Sequence, residues 1–265
     1  MATGLVSIRP IALAALVAMG MYSPAASAAF QNGPYLQHVQ ETSVRLMWET
    51  DADSTATVQY GTSQAYGQQL TVSEQNTLHR VMLEGLKSDT PYYYAVTEPS
   101  GTTRTGHFTT APPAGRPFTF AAYGDNRSNP DSHRVVASAI LQHAPRLVVT
   151  TGDYVENAGA LREWHDQFFV PAGDLLANTP LLPAIGNHDS EVGHPGSPVM
   201  DYFPLPGEQN YYAWDYGDIH FVVVDSNLRF GPASPQYRWL EQDLSLIHIS
   251  EPTRLRRISY AVFCL

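Results

Sequence analysis

The sequence is short of two residue types, and each shortage narrows what it can be. There is one cysteine, Cys264, one residue from the end, and one lysine, Lys87, among 265 residues. A disulfide framework needs cysteines in pairs, so none is available here. Scarce lysine goes with a deficit of positive charge. Lys+Arg total 15 against 25 Asp+Glu, a formal net charge of −10. Sequence-independent nucleic-acid binding rests on basic patches, so no nucleic-acid partner is expected. Long apolar runs are also missing. The run at residues 11–21 is too short for an ordinary membrane span. With Arg9 ahead of it and Ala26-Ser27-Ala28 behind, it reads as an export signal cut after Ala28. A short membrane anchor is the other reading. The expectation is a signal peptide over 1–28 and a periplasmic or secreted mature protein with no stable membrane anchor. What is plentiful is apolar material: hydrophobic residues make up 43%, enough for a packed core.

The last residues follow a different logic. Residues 244–265, LSLIHISEPTRLRRISYAVFCL, continue no helical or strand period from what precedes them. LSLIHISEPTR and ISYAVFCL resemble the translated read-through of a transposase-type sequencing adapter, with Leu255-Arg256-Arg257 where a variable index would fall. The resemblance implies a non-native tail that includes Cys264, and a native sequence that is truncated near Asp243.

Between these ends, residues 112–117 (PPAGRP) form a Pro- and Gly-rich linker that stops both helix and strand. Ahead of it, residues 29–111 hold short alternating runs. SVRLMWET puts Val44, Leu46 and Trp48 on one face; ATVQYG, HRVMLEGL and PYYYAVTE follow at close spacing. Period-2 patterning at this spacing predicts an all-β sandwich. It resembles a fibronectin type III domain, with Leu86, Thr90 and Tyr92 at the corner where a Tyr hydroxyl ties back to backbone. After the linker the pattern changes. FTFAAYGD, LVVTTGD, LLPAIGNHD and IHFVVVDS are continuous apolar runs ending in polar residues, as suits strands covered on both faces. Asn129 as N-cap and Pro130 at the first helical position open a helix in which Val136, Ile140 and His143 recur. A second helix spans about residues 161–176, broken near Pro171, and a third starts at Gln236. The order predicts an α/β layered domain over 118–243.

In α/β sheets, functional groups gather past the carboxyl ends of strands. Three such ends carry Asp125 (YGDNR), Asp153 (TGDYVEN) and Asn187-His188-Asp189 (IGNHD), each just after a Gly that permits a sharp turn and close approach. One Gly-Asp is a common turn; three in order are a pattern. Carboxylate and amide oxygens suit a divalent or trivalent cation.

The series GDNR, GDYVEN and GNHD resembles the first half of the calcineurin-like metallophosphoesterases. The sandwich ahead of it points to the purple acid phosphatase branch. The resemblance implies two metal ions, Fe, Zn or Mn, with Asp125 on one, Asp153 bridging both and Asn187 on the second. His188 would contact phosphate or protonate the leaving group. Water shared by two cations would attack a phosphate-ester substrate. The family's remaining His ligands, from a Val-x-x-His-type and a Gly-His-x-His motif, are not in this sequence and are expected beyond Asp243; the 265-residue chain is expected to be nearly inactive. Glu156 stands where the purple enzymes carry their Tyr, which implies loss of the charge-transfer colour. Arg127 has two readings, phosphate clamp or structural salt bridge.

Other polar residues read as structural. His133, His143 and His165 fall on helices and His220 opens a strand. Asp189 reads as a cap or orienter of His188, and Asp225 as packing or as support behind the site. His194 sits in a loop and has two readings, structural or lining the cleft. The patch QNYYAWDYG packs a hairpin, with Tyr211 or Trp214 as candidates to line a substrate face. Phosphomonoester hydrolysis is the first reading of function. A phosphodiesterase or nucleotidase on the same scaffold is the second, and a non-catalytic surface-binding protein that works through the sandwich is the third.

Overall fold

The computed structural model describes residues 28–190, 197–207 and 210–245, and the backbone of 246–250 and 261–263. The export-signal residues 1–27 and His194 lie outside the described residues.

The sandwich is built from β1 (Phe30–Gln37), β2 (Ser43–Gly61), β3 (Gln68–Glu84), β4 (Pro91–Thr97) and β5 (Thr103–Thr109). Two expected strands, SVRLMWET and ATVQYG, are one continuous β2 of 19 residues. Its first half pairs with β1 and its last five residues pair with β4, while β3 runs alongside both halves. Register shifts between Glu49 and Ala56 mark the change of partner. Such irregularities bend and twist a strand, here where β2 exchanges β1 for β4 as its neighbour. Val44, Leu46 and Trp48 are fully buried on the predicted face, and Met47 on the opposite face is buried too. At the corner, the Lys87 amide donates to the Tyr92 hydroxyl at 3.0 Å, the backbone tie that the sequence suggested.

The second half contains β6 (Phe120–Tyr123), α1 (Pro130–Gln142), β7 (Leu147–Thr150), α2 (Leu161–Glu163), a π-helical stretch (Trp164–Phe169), α3 (Gly173–Asn178), β8 (Leu181–Leu182), α4 (Val199–Tyr202), a hairpin of β9 (Tyr212–Tyr216) and β10 (Ile219–Val223), and α5 (Pro235–Ser250). Strands β8, β7 and β6 lie side by side and parallel. β7 is buried throughout, whereas β6 is only partly covered, with Ala122 exposed. Coverage on both faces therefore holds for β7 and fails for β6, the last strand in the sheet order.

Asn129 caps α1 as expected, its Oδ1 accepting from the Ser132 amide at 3.1 Å. The buried face of α1 differs from the one predicted: Val135 and Val136 are exposed, and His133 and Ala137 point inward. His133 turns in because it has partners there. Its Nδ1 donates to Gln167 O at 2.8 Å, and its ring stacks on Phe168. The second predicted helix breaks at Val170–Ala172 and contains the π-helical turn. Beneath the sheet, Tyr154, Trp164, Phe168 and Phe203 form an aromatic cluster with centroids 4.7–6.4 Å apart. Each such pair contributes about 0.5–1.5 kcal/mol beyond its buried area. Helix α5 starts at Pro235, with Ser234 Oγ accepting from the Tyr237 amide, and runs through Asp243 to Ser250. Residues Ala261–Phe263 pair in parallel with β10.

The two halves do not hang on a hinge. Strand β1 pairs with β2 on one side and meets β8 at Gln37–Leu181 on the other, so one mixed sheet runs through both. Tyr35 Oη and Gln37 Nε2 both donate to Tyr202 O, Arg45 to Pro204 O, and Tyr94 Oη to Ala177 O. The linker is pinned as well. The Gly115 amide donates to Asp218, and Asp89 lies between Arg116 and Arg146, whose hydrogen bonds hold its carboxyl below the usual range.

Candidate metal centre

Because β8, β7 and β6 are adjacent and parallel, the three polar turns that follow them share one end of the sheet. Each turn is forced into a conformation that only its sequence permits. Asp125 and Asp153 both have left-handed backbone, with φ of 53° and 56°, which costs a non-Gly residue energy and persists only where surroundings enforce it. The enforcement is close packing. A Cβ on Gly124 would lie 1.9 Å from Thr151 Oγ1, one on Gly152 2.1 Å from Gly186 N, and one on Gly186 2.1 Å from Asp153 Oδ1. The Gly of each motif is therefore required by contact between turns.

Hydrogen bonds join the turns. The Asp125 amide donates to Gly152 O at 3.0 Å, the Arg127 amide to Asp153 O at 3.3 Å, and the His188 amide to Asp153 Oδ1 at 3.0 Å. Asp189 is completely buried and accepts three amides: Asp153 and Gly186 on Oδ2, and Tyr154 on Oδ1. Burial raises its carboxyl pKa to about 6, against the pull of those three donors. Asp189 was expected to cap or orient His188; it ties the Gly186 turn to the Asp153 turn instead. The imidazole is held elsewhere, by Nδ1 donating to Glu156 O at 2.7 Å. A carbonyl only accepts, so Nδ1 carries the proton.

Arg127 lies among the carboxylates. Its Nε is 3.1 Å from Asp125 Oδ1 and 4.0 Å from Glu156 Oε2, and its Nη1 is 3.6 Å from Asp153 Oδ2. The last distance is an ion pair rather than a hydrogen bond, in keeping with Nη1 being buried without a hydrogen-bond partner. Asn187 is exposed and lines a small cleft with Asp153, Gly186, Val224 and Ser226. The structure thus brings Asp125 and Asp153 together through one guanidinium, and Asn187 and Asp153 together through one cleft. Among the described residues no three His, Cys, Asp or Glu side chains converge as a metal-holding group. Two carboxylates and an amide oxygen at one sheet end match a hard cation in donor type, and the guanidinium between the carboxylates marks where positive charge is favoured.

Tyr154 takes no part in the site. It is buried, its hydroxyl bonded to Thr150 Oγ1 and Ala184 O. Glu156 is the residue of that loop whose carboxylate faces the site, where it meets Ser128 Oγ and Arg127. The other residues weighed from sequence fall as follows. Asp225, buried, accepts from the Asn227 amide and Nδ2 through Oδ1, and Asn227 Nδ2 also reaches Gly186 O at 3.3 Å. It therefore supports the Asn187 turn from behind. His165 bonds Asn32 across the two halves, and His143 closes α1 as its C-cap. His220 lies between Asp215 and Asp243, at 2.5 and 2.8 Å. Tyr211 packs on Trp239, and Trp214 on His38. Sequence reading missed Ser128, Gln167 and Asn227, polar residues with no motif around them; only their contacts identify them.

Residues 32–110 match the family model of the purple acid phosphatase N-terminal domain. The chain is 26% identical over 211 residues to purple acid phosphatase 15 of Arabidopsis thaliana, covering 64% of this chain and 38% of that protein. It is 25% identical over 245 residues to probable purple acid phosphatase 20 of the same plant, covering 82% and 55%. It is also 30% identical over 118 residues to a nucleotide pyrophosphatase/phosphodiesterase of Hordeum vulgare, covering 38% and 32%. The chain thus spans between about a third and just over half of the length of these relatives. In fold it is similar to a purple acid phosphatase from yellow lupin seeds, with a TM-score of 0.69 at 18% identity, over 86% of this chain and 50% of that one. PhoD follows, with a TM-score of 0.60 at 16% identity, over 76% and 52%.

Proposed function

We propose that this chain, whose residues 32–110 match the purple acid phosphatase N-terminal domain and which is similar to plant purple acid phosphatases, forms with its three polar turns the first half of a dinuclear centre that hydrolyses phosphate monoesters outside the cytoplasm. One observation carries the reading: Asp125 and Asp153, both in left-handed backbone, sit at neighbouring strand ends about one guanidinium, with Asn187 beside Asp153 in the same cleft.

Asp125, Asp153 and Asn187 would hold Fe, Zn or Mn, Asp153 being the residue common to the Arg127 ion pairs and the Asn187 cleft. Such cations supply an activated water and neutralise charge on the phosphoryl oxygens. The chain's own residues do the rest. Arg127 is paired with Asp125 and Asp153, the salt-bridge arrangement, and would turn its donor fork to phosphate oxygens only once cations neutralise those carboxylates. His188, fixed through Nδ1 by Glu156 O, contacts the phosphate or delivers a proton to the leaving oxygen. With Glu156 rather than Tyr facing the site, we propose a centre without charge-transfer colour. Asp125, Asp153 and Asn187 alone are too few to hold two cations, so further ligands from outside the three turns are part of this reading.

A diester or nucleotide substrate is the second reading, favoured by the likeness to the barley protein. The test is metal analysis and turnover of p-nitrophenyl phosphate and bis-p-nitrophenyl phosphate by protein made from the uninterrupted gene. Two metals per chain and preference for the monoester are expected, with Asp153→Asn lowering turnover by at least about a hundredfold. Preference for the diester would replace the first reading with the second. A protein that binds no metal would be a binding protein instead.

A further inference from the structure

We infer that Gln167 is a positioning residue that sets the spacing of the Asp125 and Asp153 turns. Its side-chain oxygen accepts from one amide in each turn's loop: Ser128 N at 3.3 Å and Glu156 N at 2.9 Å. An amide carbonyl has two lone pairs, so one atom serves both loops and holds their two donors to a common point. These loops need such a bracket. Asp125, Ser128 and Asp153 all have positive φ, and backbone in that region is held only by what surrounds it.

Gln167 is itself fixed from three sides. It lies in the π-helical stretch Trp164–Phe169, whose wider turn is closed by the Val170 amide donating to His165 O at 3.0 Å. Short π segments occur often at functional sites. The flanking Trp164, Phe168 and Phe169 are buried and anchor the turn in the core. The backbone oxygen of Gln167 accepts from Nδ1 of buried His133 on α1. A rigid, core-anchored turn thus presents one acceptor to two strained loops. Directly between those loops run the Asp125 amide to Gly152 O, the Arg127 amide to Asp153 O, Asn126 Nδ2 to Tyr154 O, Ser128 Oγ to Glu156, and the Arg127 guanidinium to Asp153 and Glu156. Removing Gln167 would leave these ties to bear the spacing.

The inference rests on the reading that Asp125 and Asp153 serve one centre, and two readouts on the 265-residue chain separate the two claims. Gln167→Met keeps length and volume and removes the acceptor; Gln167→Glu keeps an acceptor. Amide hydrogen exchange at residues 125–129 and 153–157 is measured without metal, and Zn²⁺ affinity is measured by titration. Expected for Gln167→Met is exchange about tenfold faster in both loops together, unchanged exchange in β7, and Zn²⁺ binding weaker by a similar factor. Gln167→Glu is expected to restore protection in both loops. Acceleration in one loop only, or in neither, overturns the bracket. Both loops opening in a chain that takes up no Zn²⁺ before mutation upholds the bracket and sinks the metal reading. If Gln167→Met does not fold, Gln167→Ala is read by the same criteria.

Discussion

Left-handed glycines at the open turns of the sandwich and at the Asp153 turn have similar dihedrals and different neighbours. In the sandwich, Gly67, Gly85 and Gly101 have φ of 99°, 69° and 86°, and a Cβ on any of them would meet nothing within 4 Å. In the α/β half, Gly152 has φ of 89°, but its Cβ would lie 2.1 Å from Gly186 N. The residue after it, Asp153, is left-handed as well. In the first region glycine relieves strain at an open turn. In the second it lets two backbone segments touch, and the strain passes to the neighbouring carboxylate. Contact alone does not mark a site, since a Cβ on Gly33 of the sandwich, with φ of 80°, would lie 3.0 Å from Met47 O; what sets Gly152 apart is the closer approach and the left-handed carboxylate that follows it.

The largest expected effect tests that contrast. Gly152→Ala combines the φ penalty with an overlap of backbone on backbone and is expected to destabilise by about 4 kcal/mol or more. Gly101→Ala carries the φ penalty alone, about 1 kcal/mol. Guanidinium unfolding of both variants measures the gap, and equal midpoints would erase the distinction. A smaller effect is expected at the sandwich corner. Tyr92→Phe leaves the Lys87 amide without its partner and should cost about 1 kcal/mol. The phosphate-ester turnover proposed above should not change.

The smallest effect divides the halves by pH. In the α/β half, hydrogen bonds to Asp215 first and to Asp243 raise His220 from 6.5 to about 9. The folded state then binds more protons between those values. The stabilisation is complete below pH 6.5 and is lost as pH rises through about 9. Because Asp215 is well exposed, the gain is on the order of 1 kcal/mol. In the sandwich, burial raises Glu98 from 4.5 to about 7. Stability falls there too as pH rises, but between 4.5 and 7. In the lower window Asp189, raised to about 6, adds to this slope, while His38, lowered by burial from 6.5 to about 4, opposes it, so each contribution is read as the difference between a variant and the parent. Unfolding midpoints of Glu98→Gln should depart from the parent's pH dependence only in the lower window and those of His220→Gln only in the upper; a variant that changes both would show that the halves titrate together.

How much of this could be read in advance depends on range. Alternation at Val44, Leu46 and Trp48, the Asn129 cap and the three glycine-led turns are local, and local patterns are written in consecutive residues. The passage of β2 through Thr50–Asp53 was not legible. Asp-Ala-Asp has the composition of a turn, yet pairing with β3 on either side carries the strand through it. His133 on the buried face of α1 was missed for the same reason, since Tyr123 and Phe168 supply its surroundings from distant segments. At the site, the residue types Asp125, Asp153 and Asn187 could be found by motif. The partners of those turns, Asp189, Asn227 and Gln167, were set by contacts that no spacing rule encodes.

Strand β1 belongs to both halves, and this limits how the molecule can be divided or recombined. A fragment starting after the linker would lose both donors to Tyr202 O, the donor to Pro204 O and the one to Ala177 O. It would also expose the flank of β8 as a sticky border inviting self-association. The front unit therefore behaves less like an exchangeable cassette than like a wall of the same room, and a graft of this α/β half onto another sandwich would have to bring β1 with it.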